Sequence, residues 1–144
     1  MYRIISCLCL AVTLQLSASG QATGSSKTIE IRNNLTLADS LFSINLDSAY
    51  RYYHRAYVQA TRLVEGVPRD TANRDKWSLL AEAANGKGFV LQYQGHVDSS
   101  FLYHRQCLEI SEPLVIDSLT AYGLNNIGMA YHRLSELDSA LFYY

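Results

Sequence analysis

The residues best suited to chemistry in this 144-residue chain are few, and each invites a different reading. His104 and Cys107 stand three apart, a spacing that puts an imidazole and a thiol on one helix face, where they could share a metal with His96 or His132. Both fall, however, at repeat positions that Tyr53 and Ala56 occupy in another copy of the same unit, so packing is the stronger reading. No metal or other cofactor is expected. Arg51, Arg55, Arg62 and Arg105 lie among tyrosines, a mixture that can stack and neutralise nucleic acid. A formal net charge of -1 and a pI near 6.4 argue instead for solvated helix faces and against a polyanion partner. The serines beside Asp47, Asp98 and Asp138 have no associated base, and no phosphate loop, dinucleotide glycine fingerprint or nucleophile elbow is present. No catalytic residue is assigned, and the chain is read as a non-enzyme. Asn34-Leu35-Thr36 fits the glycan acceptor pattern, which matters only in a eukaryotic secretory pathway.

The elements that must position these side chains are helices. Two prolines and eight glycines are too few to punctuate an all-β domain of this length, while 49% hydrophobic residues suffice for a packed core. At the N-terminus, Arg3 precedes a mostly apolar run from Ile4 to Leu16 and then small and polar residues, the order of a secretory signal peptide. The run is shorter than the roughly 20 residues needed to span a bilayer. Cleavage is expected after Gly20, with Ala18 and Ala22 as alternatives, and Cys7 and Cys9 lie too deep in the apolar run for lipidation. Removal of residues 1–20 leaves Cys107 as the one thiol, so the exported domain must be held by packing rather than by a disulfide. Residues 21–34 read as a flexible leader.

An internal repeat occupies the rest. Asn45 to Tyr53, His96 to His104 and Glu136 to Tyr144 align without gaps, with Asp47, Asp98 and Asp138 recurring at intervals of 51 and 40 residues. The longer interval absorbs the broken segment from Gly66 to Arg74 as a loop. Each aspartate suits the first turn of a helix, where free amides and the macrodipole favour negative charge, and Asn45 is a plausible cap. Ala49, Tyr53, Ala56, Tyr57 and Ala60 then trace one face to about Glu65. Ser100, Tyr103, His104, Cys107, Leu108 and Ser111 trace the equivalent face, and the third copy begins alike through Ala140. A second helix precedes each. One opens at Asp75 or Lys76 and runs to Gly95, another opens at Pro113 and runs to Leu134, and a third covers Leu35 to Ile44. Gly88 and Gly128 each lie twelve residues before a small residue, Ser100 or Ala140, which predicts a close helix approach that a side chain would obstruct.

Leu124 to Tyr144 resembles a tetratricopeptide repeat through Leu124, Ile127-Gly128, Tyr131, Ala140 and Tyr144, with Ser135 where glycine is typical. The preceding copy matches at Gly88, Gly95 and Cys107, with Ser100 in place of the usual alanine; the first matches through Ala49, Tyr53 and Ala56. The resemblance implies an all-α solenoid of antiparallel helix pairs in a right-handed superhelix over residues 35–144, with units near 35–66, 75–111 and 113–144. It also implies a concave groove that binds a peptide or partner helix, for which Asn85, Lys87, Asn125 and Asn126 are the candidate contacts. The packing positions are Ala49, Tyr53, Ala56, Gly88, Ser100, Cys107, Gly128, Tyr131 and Ala140.

The third unit stops about two turns into its second helix, so a truncated array with self-association through the uncapped repeat is expected. Exported bacterial proteins of this kind often continue into a transmembrane helix and a kinase or DNA-binding output domain. On that reading the chain is the sensing part of a longer regulatory protein in the periplasm or cell envelope, touching the membrane only through such a segment. The alternative is an envelope protein that binds glycans on similar repeats.

Overall fold

The computed structural model describes residues 25–144, and every regular element among them is helical. Helix α1 covers residues 25–42, followed by α2 (Leu46–Val64), a single 3-10 turn (Thr71–Asn73), α3 (Arg74–Tyr93), α4 (Val97–Ser111), α5 (Asp117–Arg133) and α6 (Leu137–Tyr143). They form three successive pairs. Helix α3 packs on both α2 and α4 and touches α5, and Phe42 of α1 stacks on its Phe89, so the odd-numbered helices lie together on one side of the array. The signal peptide and its cleavage sites lie outside the described residues.

The repeated aspartates stand in the first turns of α2, α4 and α6. Only Asn45 adds a side-chain cap, accepting from the Ser48 amide at 2.8 Å, whereas His96 and Glu136 make no such bond. Helix α2 buries Ala49, Tyr53, Ala56, Ala60 and Val64 at spacings of three and four, the period that keeps one face inward. Ser100, His104, Cys107, Ile110 and Ser111 do the same on α4. The inserted loop is pinned to the body: the Trp77 indole donates to the Pro68 carbonyl at 3.1 Å and Arg69 donates to the Glu109 carbonyl at 3.1 Å.

Three expectations need correction. The segment 21–34 is helical from residue 25, because Ile31, Asn34, Leu35 and Ala38 follow helical spacing and are buried; its polar residues are the solvent side of α1. Asn34 within it donates to Gln59 Oε1 at 2.8 Å, so its amide is a packing contact rather than an open glycan acceptor. Pro113 does not open α5, which begins at Asp117. Residues 112–116 instead close α4 with a left-handed cap: Val115 has φ +53, and Ile116 N–H reaches back to the Ser111 carbonyl at 2.9 Å. Leu114 and Ile116 are thereby turned into the core.

The same cap recurs at Gly95 (φ +88) and Ser135 (φ +63), where His96 N–H meets the Leu91 carbonyl and Glu136 N–H meets that of Tyr131. Close approach is equally repetitive. A Cβ on Gly88 would lie 3.1 Å from the Ser100 carbonyl oxygen, and one on Gly128 would lie 3.3 Å from that of Ala140. On α6, Leu137, Leu141 and Phe142 are exposed. Among the described residues no helix is long and apolar enough to cross a membrane.

Candidate functional site

Between α1, α3 and α5 runs a groove of about 720 Å³. Helix α3 presents Ser78, Glu82, Asn85 and Phe89 to it; α5 presents Ser118, Tyr122, Asn125 and Met129. Each row steps by four, three and four residues, and the second is the first displaced by 40, so two copies of one repeat supply matching polar and apolar rungs. Asp39 closes the α1 side, held by a hydrogen bond from the Tyr53 hydroxyl. Burial, that bond and the nearby carboxylates of Asp39 and Glu82 all raise the pKa of the Tyr53 phenol, so it stays a donor. Glu82 is open to the groove, yet the surrounding protein and Asp39 raise its pKa while Arg32 pulls it down.

Phe89, one of the lining residues, belongs to an aromatic cluster beyond the groove lining. The Phe42 and Phe89 rings stack at 4.9 Å, Tyr93 meets both edge-on at 5.2 and 4.9 Å, and the Arg133 guanidinium lies 4.7 Å from the Tyr93 ring centre. The floor is a polar chain. Asn126 Nδ2 donates to Asn85 Oδ1 at 3.0 Å, and the same oxygen lies 3.1 Å from His104 Nδ1, whose other nitrogen is 3.2 Å from Gln92 Oε1. Burial lowers the His104 pKa to about 4, so the ring is neutral and owns a single N–H. It can donate to only one of those oxygens. Gln92 Nε2 is also the one buried side-chain nitrogen or oxygen without a partner among the described residues. The consistent arrangement has Nδ1–H donating to Asn85 and the Gln92 amide turned to donate to Nε2.

Of the four candidate contacts, Asn85, Asn125 and Asn126 line the groove and Lys87 does not. Lys87 is 4% exposed and points between α2 and α4, where its ammonium lies 4.3 Å from the Tyr103 ring centre, 4.9 Å from Tyr57 and 5.6 Å from Tyr50. His54 Nδ1 sits 3.1 Å away, and burial followed by this cation lowers the His54 pKa. The sequence held the signal: Lys87 displaced by 40 is Ile127, a buried position. The chain from Asn126 to Gln92 joins three helices, and no spacing within one helix could have revealed it.

The packing positions fall as follows. Ala49, Ala56, Ser100, Cys107 and Ala140 are fully buried, Tyr53 is buried with its hydroxyl at the groove wall, and Gly88 and Gly128 sit at helix crossings. Tyr131 is only half-buried, between Phe101 at 4.8 Å and Tyr143 at 5.5 Å. Burial pushes the Cys107 thiol up to about 12, and its sulfur faces the Leu119 carbonyl at 3.5 Å. Among the described residues no group of three or more His, Cys, Asp or Glu is placed to hold a metal.

This arrangement of helix pairs has a solved counterpart in the crystal structure of the TPR domain of Arabidopsis FLU, similar over 82% of this chain and 91% of that one with a TM-score of 0.68. The fold is that of a tetratricopeptide-repeat domain. At 24% identity the likeness to FLU is one of fold. No protein-family model matches the sequence, and no curated protein does.

Proposed function

We propose that the protein is a non-catalytic interaction scaffold that holds a peptide or a partner helix in the groove between α1, α3 and α5. The observation that carries this is the pair of rows on α3 and α5, each with a serine, an asparagine and, at its end, an apolar Phe89 or Met129 in the same register along one hollow. A solenoid need not expose such rows to hold its core, and their repetition suits a ligand that is itself a chain. The TPR-like fold adds to this reading. The apolar run behind Arg3 favours action outside the cytoplasm, in the periplasm or cell envelope, with sensing for a longer regulatory protein as the role that fits. The exposed Leu137, Leu141 and Phe142 favour a second copy as an additional contact on α6.

The test is photo-crosslinking in the native host from residue 122 in the groove and from residue 102, which is exposed on α4. A discrete adduct from 122 that is absent from 102 is the expected result. Equal adducts from both, or none from 122, would overturn the groove assignment.

A further inference from the structure

We propose that the segment taken up by the groove is basic: an extended peptide whose lysine or arginine enters between Asp39 and Glu82 while an apolar neighbour lies on Phe89 and Met129. This rests on the peptide-binding reading above and assigns that ligand its chemistry.

Among the described residues Asp39 and Glu82 are the charged side chains that line the groove, and both are open to it, one from α1 and one from α3. Arg32 shares an adjoining hollow with them, but its pull on Glu82 is smaller than the combined effects of burial and Asp39. A site that raises the proton affinity of its own carboxylate gains from any cation delivered there. An acidic segment would meet two carboxylates in a walled hollow with no cation among the lining residues to receive it. The Tyr53 hydroxyl orients Asp39, so this carboxylate is positioned before a ligand arrives.

The polar rungs favour an extended chain over a helix. Asn125 is exposed, and its only hydrogen-bond partner among the described residues is the weak acceptor Met129 Sδ at 3.6 Å. Its amide can therefore pair with a backbone N–H and C=O, which an extended peptide leaves open and a helix has already used.

A random peptide library displayed on phage would be selected against the full chain, and the consensus peptide then synthesised for fluorescence anisotropy. Enrichment of lysine or arginine beside an apolar residue is expected. The peptide should bind about tenfold more weakly to Glu82→Gln, and a citrulline or norleucine analogue should lose a similar factor on the wild type. A consensus without a basic residue, or one indifferent to Glu82→Gln, overturns the basic assignment. If such a peptide still loses binding on Tyr122→Ala and Asn125→Ala, the groove reading stands alone. A peptide indifferent to those two changes, or no enrichment at all, removes both.

Discussion

Asn85 and Lys87 are two residues apart on α3, and their surroundings could hardly differ more. Asn85 lines the open groove and ties its floor together, whereas the Lys87 ammonium is closed in by three tyrosine rings and an imidazole with no carboxylate among those neighbours. Two steps at about 100° per residue turn a side chain through roughly 200°, so polar residues at i and i+2 serve opposite sides of one helix. The contrast separates two uses of polarity in a helical array. One region is open and its side chains are available to a ligand; the other is shut, and its charge is balanced by ring faces.

The two regions should therefore respond to mutation in opposite ways. Lys87→Glu carries the largest expected effect: it removes the cation and aims a carboxylate at three ring faces, which should cost at least about 3 kcal/mol. Lys87→Met keeps the length and should cost less than about 1.5 kcal/mol. Thermal and urea unfolding would measure both, and a Lys87→Glu variant as stable as Lys87→Met would mean the box is open to solvent. Gly86→Ala probes the boundary between the regions. The added Cβ would overlap the Tyr53 ring at Cε1, so the ring must leave its place against Asp39. A loss of about 1–3 kcal/mol is expected, read in the same unfolding experiments.

The floor of the groove belongs partly to each region and should reveal itself through pH. His104 has a folded pKa of about 4 against the ordinary imidazole value of 6.5, because burial penalises its charged form. Between these values the unfolded chain binds the proton and the folded one does not, so stability is full above pH 6.5 and falls as pH drops, levelling off near pH 4. The difference is worth roughly 3 kcal/mol. The part of the acid loss seen in the wild type and missing in His104→Gln measures it. Equal losses in both proteins would show that the ring is hydrated and that the Asn126 to Gln92 chain is not closed.

How much of this was legible in the sequence follows from which physics is local. The recurring aspartates gave the starts of α2, α4 and α6, and Gly88 and Gly128 gave the close crossings twelve residues before Ser100 and Ala140, because caps and crossings are set by neighbours in the chain. That Asn85 and Asn125 share one register on the first helices of two units was legible too, since a repeat carries its positions with it. Lys87 was misplaced because residue type was weighed above register, although Ile127 marks that register as buried. The start of α1 was hidden because its outer side is mostly polar, and Ile31 is the one apolar residue it buries before Leu35. The cap at Val115 was hidden for a different reason: a β-branched residue is the last choice for a left-handed conformation, and Pro113 offered a more familiar helix start. Val115→Gly should accordingly gain about 1 kcal/mol by relieving that strain, and an unchanged melting temperature would place the relief elsewhere.

The smallest expected change in stability is the most telling for the open region. Asn125→Ala removes an exposed amide whose one recorded partner is a thioether, so its unfolding free energy should stay within about 0.5 kcal/mol of the wild type. If the groove takes a peptide, affinity should nevertheless fall, because the lost group faces the groove and not the core. Lys87→Met should do the reverse, shifting the melt while leaving affinity in place, since its side chain reaches the far side of α3. A double comparison of these two variants, each scored for both unfolding and binding, tests whether the sides of α3 are independent. If Asn125→Ala destabilises the fold as much as it weakens binding, the rung is structural, and the groove is a by-product of helix spacing rather than a surface kept for a partner.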